Sequence, residues 1–193
     1  MSRRWWISLC FLLSFPASLT SGAEELARAT VELKAWAKSQ ASDLLPLYHH
    51  FHSHPELSLC ERETAARLAA ELRSAGAEVT TGVGGHGVVA ILKNGAGPTV
   101  LCRTDLDALP VMESTGLAYA SQVRVRNAGG VEVGVMHACG HAIHMACLVG
   151  VTRYLASHPQ SWHGTAVFIG QPAEEVVQGA KAMLADGLFQ RFP

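Results

Sequence analysis

Within five residues, His137-Ala138-Cys139-Gly140-His141, the chain offers one thiol and two imidazoles. The small-residue stretch Val133-Gly134-Val135-Met136 precedes this run, and an apolar-periodic stretch from Ile143 to Leu155 follows it. That order reads as a strand, a tight loop and a helix. A fold for this chain must therefore bring a strand end and a helix start to one point. Thiolate and neutral imidazole are both good ligands for zinc and its first-row neighbours. Cys139 stands where the helix should begin, so the positive end of the helix dipole is expected to lower its pKa and favour thiolate. A second pole lies downstream, where the apolar strand Thr165 to Ile169 runs into Gly170-Gln171-Pro172-Ala173-Glu174-Glu175. Two adjacent carboxylates at a strand exit can divide labour, one binding metal and the other moving protons. In this order the two poles point to metal-assisted hydrolysis.

The rest of the chain frames these poles. Strands alternate with helices after Ala77, which predicts an α/β class with a mostly parallel or mixed sheet flanked by helices. Glu24 to His52 is helical in pattern, and Pro46 is expected to kink or divide it. His49, His50, His52 and His54 cluster near its end. No acid or thiol joins them at ligand spacing, so they read as a helix end and a loop anchored by Pro55. Glu61 to Ala75 is a second helix, with Ala65, Leu68, Ala69 and Leu72 on one face and Gly76 as its stop. Val79 to Thr81 and Gly87 to Lys93 read as strands around a glycine-rich turn. Thr99-Val100-Leu101-Cys102 reads as a buried strand running out into Asp105 and Asp107. Acids there can serve a ligand, as α/β proteins place them, or merely cap turns. Ser114 to Gly130 reads as an irregular polar loop. Val176 to Phe189 is the last amphipathic helix, with Val177, Ala180, Met183, Leu184 and Leu188 inward.

The 193 residues are 49% hydrophobic and 16% charged, enough for one domain, and a formal net charge of −1 gives no basic field for nucleic acid. Arg3 and Arg4 precede an apolar stretch, Trp5 to Phe15, followed by Ser21-Gly22-Ala23. This layout predicts a signal peptide over 1–23, export to the periplasm or medium, and a mature domain over 24–193. The stretch is short for a bilayer span, so no stable membrane insertion is expected after cleavage. An uncleaved anchor is the other reading. Of five cysteines, Cys10 leaves with the leader, and a metal-bound Cys139 leaves three, a poor disulfide framework. No Gly-x-Ser-x-Gly elbow appears, so a serine hydrolase has no support.

Four ordered stretches carry a resemblance. They are His54-Pro55-Glu56-Leu57-Ser58, Arg103-Thr104-Asp105-Leu106-Asp107-Ala108-Leu109-Pro110, His137 to His141, and Gln171-Pro172-Ala173-Glu174-Glu175. From about Leu44 onward the chain resembles the aminoacylase and carboxypeptidase metallohydrolase family. It is most similar to the branch of hippurate hydrolases and indole-acetyl-amino-acid amidohydrolases. The resemblance implies a zinc-peptidase-like catalytic domain and hydrolysis of N-acyl amino acids or similar small amides at two divalent metals, manganese or zinc. It implies metal ligation by Cys139, His141 and Glu175, with Glu174 as general base and Asp105 as a further catalytic residue.

Two departures carry expectations of their own. Ala142 stands where the branch usually has an aspartate. The family's later histidine ligands and its lid and dimerisation domain have no counterpart before Pro193. The sequence is therefore expected to represent the N-terminal part of such a domain, with at most one metal held weakly and no useful turnover alone. A truncated, inactive remnant is the alternative.

Overall fold

The computed structural model describes residues 22–126 and 129–192. The leader expected over 1–23 falls almost wholly outside them. The chain divides into two units, one ending at Ala35 and the other starting at Trp36. Helix α1 (Gly22–Ser39) has no buried residue. Among the described residues no helix is long and apolar enough to cross a membrane.

Helix α2 (Ala41–Ser53) begins after a break at Gln40, and Pro46 lies inside it without ending it. This corrects the expected division at Pro46. So near the start of α2, the missing N–H leaves only the Ser42 carbonyl without its helical partner. Helix α3 (Arg62–Ser74) follows, with Leu68, Ala69 and Leu72 fully buried. Glu56 on the preceding loop caps it, accepting the N–H groups of Glu63 at 3.2 Å and Thr64 at 2.7 Å. A carboxylate at this end satisfies orphan donors and complements the dipole.

Among the described residues six strands complete the frame: β1 (Glu78–Val83), β2 (Gly87–Asn94), β3 (Thr99–Asp105), β4 (Arg124–Arg126), β5 (Glu132–Gly134) and β6 (Gly164–Gln171). The main sheet has the order β1-β2-β6-β3, and β4 and β5 form a separate two-stranded ribbon. Pairing is antiparallel for β1 with β2 and for β2 with β6, and parallel only for β3 with β6. The sheet is mixed, and the mostly parallel alternative is not what forms. Strand period sorts the core into two layers, since successive side chains point to opposite faces. Val88, Ala90, Ala166 and Phe168 join α2, α3 and helix α4 (His141–Ser157) on one face. Val89, Val167 and Ile169 meet Met183 and Leu188 on the other.

Those two residues come from helices α5 (Gly179–Ala185) and α6 (Leu188–Arg191), which replace the single helix expected from Val176 to Phe189. Val177, expected inward, is 87% exposed, and Ala180 and Leu184 are exposed too. The chain spends 173–178 on a turn instead, with Ala173 at φ 49° and Val177 at φ 56°. Strand β3 also departs from expectation, because Val100 is 56% and Leu101 42% exposed. It is an edge strand of this sheet, covered at its Asp105 end but open along its first residues.

Candidate metal centre

The parallel pair β3 and β6 ends in register, Asp105 opposite Gln171, and the Leu106 N–H donates to the Gln171 carbonyl at 2.9 Å. Both carboxyl ends therefore open at one place, where α/β sheets present ligand groups. Helix α4 starts at the same place. Gly140 precedes it with φ 87°, a left-handed conformation that favours glycine and turns the chain from the His137 loop into the helix.

His141 is the first residue of α4 and is buried. Its Nδ1 lies 2.8 Å from the backbone carbonyl of Asp107. A carbonyl only accepts, so Nδ1 carries the proton, and the neutral ring has its lone pair on Nε2. Around Nε2 stand Asp105 Oδ2, Glu174 Oε2 and Glu175 Oε1, each at 3.9 Å. None of the three reaches hydrogen-bonding distance to Nε2, and Glu175 Oε1 is buried without a hydrogen-bond partner. Among the described residues, His141, Glu174 and Glu175 form the group whose ligand atoms all lie within 4.8 Å of one another. One imidazole nitrogen facing three carboxylates, one of whose oxygens is buried and unpartnered, fits a divalent cation better than it fits the residues alone.

Asp107 organises this centre and is fully buried. Its Oδ2 accepts from Ser58 Oγ at 2.6 Å and from the Glu175 N–H at 2.9 Å. One residue thus orients His141 through its carbonyl and Glu175 through its carboxylate. Asp105 sits apart from that role. Arg103 Nη1 approaches its Oδ1 at 3.0 Å and donates to Gln171 Oε1 at 2.6 Å. Burial raises the Asp105 pKa, Arg103 and His141 oppose the shift, and Glu174 and Asp107 add to it. The open choice for the two acids is thereby divided, with Asp105 at the centre and Asp107 behind it.

Cys139 lies outside the three-residue group, on the exposed loop before α4, and its thiol hydrogen-bonds to Glu175. That bond, then burial, then the charges of Glu175, Glu174 and Asp107 push its pKa up to about 11. The expected lowering by the helix N-terminus does not occur. The half-charge of a helix end is outweighed by nearby carboxylates. His137 is buried, and desolvation, then the charge of His141, lowers its pKa to about 4, against the opposing effect of Asp107. Ala142 is buried in the core on α4.

The histidine cluster on α2 is not part of this centre. His49 stacks on Tyr119 with ring centroids 3.9 Å apart, and His50 stacks on His54 at 4.6 Å. His52 Nε2 does meet an acid, Glu113 Oε1 at 3.1 Å. No local spacing could reveal that partner, which lies far along the chain. Asp107 could have been singled out by the same argument that favoured Asp105. Ser58 gave no signal beyond its place in a motif.

The model of peptidase family M20/M25/M40 matches residues 101–193, the stretch that supplies Asp105, Cys139, His141, Glu174 and Glu175. Residues 101–193 of this chain belong to that family. It is 42% identical over 145 residues to hippurate hydrolase of Campylobacter jejuni, covering 75% of this chain and 35% of the relative. It is 34% identical over 181 residues to IAA-amino acid hydrolase ILR1-like 2 of Arabidopsis thaliana, covering 93% and 39%. The solved Bacillus subtilis YXEP protein, described as a dinuclear metal binding peptidase from the M20 family, superposes with a TM-score of 0.70. That match is at 35% identity, over 79% of this chain and 41% of that one. The chain thus spans between 35% and 39% of the length of these two curated relatives.

Proposed function

We propose that this chain serves metal-dependent hydrolysis of the amide bond in small N-acyl amino acids. The observation that carries the reading is the ring of three carboxylates 3.9 Å from the free Nε2 of His141. Its relatives include a hippurate hydrolase, and hippurate is itself an N-acyl amino acid. Cys139, His141 and Glu175 would hold the metal, manganese or zinc, with Asp105 beside them. When bound, the metal would polarise the amide carbonyl and lower the pKa of the attacking water. Glu174, whose side chain is 40% exposed, faces solvent and is free to move a proton. It would take one from the water and deliver it to the leaving amine. Asp107 would keep Glu175 and His141 fixed during the step through its bonds to both. Export through the residue 1–23 leader belongs to the same proposal.

Titration of the chain with manganese or zinc tests the metal half of this reading, and Cys139→Ser is expected to weaken binding. Equal affinity in the two would remove Cys139 from the ligand set. The hydrolytic half is tested on hippurate and other N-acyl amino acids, beside a chain extended to the length of its relatives. Metal-dependent turnover that Glu174→Gln removes supports the reading. Turnover that survives full chelation overturns it.

A further inference from the structure

We infer that Glu61 is a positioning residue of the metal centre, acting through the turn that presents Glu174 and Glu175. The inference rests on the proposed metal reading of those two acids. Glu61 stands just before α3 and is completely buried, an unusual place for a carboxylate. It caps nothing in its own helix. Its Oε1 instead accepts the N–H of Ala173 at 2.6 Å, far along the sequence. Burial raises its pKa, while nearby backbone amides, that of Ala173 among them, oppose the shift.

Ala173 is where the turn is decided. Its φ of 49° is left-handed, which an alanine adopts only under constraint. Its carbonyl accepts the N–H groups of Gln178 at 3.1 Å and Gly179 at 3.2 Å, and the Glu174 carbonyl accepts that of Val177 at 2.8 Å. The Glu61 bond secures the other side of the same peptide chain, one residue before Glu174. Asp107 holds Glu175 at its backbone N–H. The two acids are thus suspended between two buried carboxylates, and both tethers hold backbone N–H groups rather than the Glu174 or Glu175 carboxylates. Loss of the Glu61 tether would let the Ala173 backbone relax and move both acids away from Nε2 of His141.

The experiment measures manganese or zinc affinity of the 193-residue chain by calorimetry, together with thermal unfolding in chelator. Glu61→Gln keeps an oxygen able to accept from Ala173 and is expected to bind within about threefold of wild type. Glu61→Ala and Glu61→Asp, which lack or shorten the reach, are expected to bind ~10–100-fold more weakly, the loss typical of a removed outer partner. A purely structural role would lower the chelated unfolding temperature and leave affinity well below that temperature unchanged. Should Glu61→Ala not fold, the comparison of Glu61→Gln with Glu61→Asp decides. Wild-type affinity in a folded Ala or Asp variant overturns the inference, as does a Gln variant as weak as the Asp variant. Wild-type protein that binds no metal, or binds it equally after Glu175→Gln, overturns the metal reading itself.

Discussion

Glu174 and Glu175 are neighbours in sequence, yet their side chains are 40% and 15% exposed. The difference comes from the turn, which aims one toward solvent and ties the other by its N–H to Asp107. Exposure suits a group that exchanges protons, and burial suits one that holds charge in place. In a chain extended to the length of its relatives, Glu174→Gln is therefore expected to cut the proposed turnover by ~10²–10⁴-fold, the usual contribution of general acid–base catalysis, with bound metal little changed. Glu175→Gln should lower bound metal first. Metal analysis of both variants beside their steady-state rates checks this. Cys139 shows the limit of reading such residues from their order alone. Its place before a helix suggested thiolate, whereas the folded chain surrounds it with carboxylates that hold the proton on. Carboxylates from two distant stretches, Asp107 and Glu174-Glu175, raise that pKa, and only folding brings them to Cys139.

At the scale of elements, the turn between β6 and α5 decides where chemistry is possible. Gly179 has no room for a side chain, because a Cβ there would lie 1.4 Å from the Pro172 carbonyl oxygen. Gly179→Ala must open the turn, and a loss of at least ~2 kcal/mol is expected from such overpacking against backbone. Denaturant unfolding measures it. The periodicity of 176–189 suggested one helix because Met183 and Leu188 do face the core, yet the turn occupies the first residues of that stretch. Apolar spacing cannot register a tertiary bond such as that from Glu61. By contrast β1, β2, α3, α4 and β6 were legible, since each has its own period and a glycine, proline or polar boundary.

A second element-scale case is the loop that carries Glu113. Its carboxylate receives Thr115 Oγ1, His52 Nε2 and the Ser121 N–H. Burial pushes its pKa up, but those donors and the His52 charge prevail and hold it below the ordinary value. A carboxyl depressed in the folded state adds stability above its unfolded pKa of about 4.3 and loses it as pH falls through the folded value. Wild-type stability should thus decline below about pH 5 by more than that of Glu113→Gln, which lacks this titration. Unfolding curves from pH 7 to 3 on both proteins supply the comparison.

For the whole molecule, the expected leader is checked on the exported product, whose first residue should lie near Glu24. An intact Met1 on a soluble cytoplasmic product would remove that expectation. The order of the main sheet has a different consequence, in time rather than in space. Strand β6 sits between β2 and β3, although it comes last of the four in the sequence. While the chain is being made, β1 and β2 can pair early, but β3 has no neighbour in the sheet until β6 arrives. Closing that gap joins residues far apart in sequence, a step that is slow for entropic reasons. The same strand delivers Glu174 and Glu175, so folding and assembly of the centre become a single late event on the ribosome. Nascent chains arrested before Gly164 has emerged should be cut readily by protease, and those with Gln178 well clear of the exit should resist it.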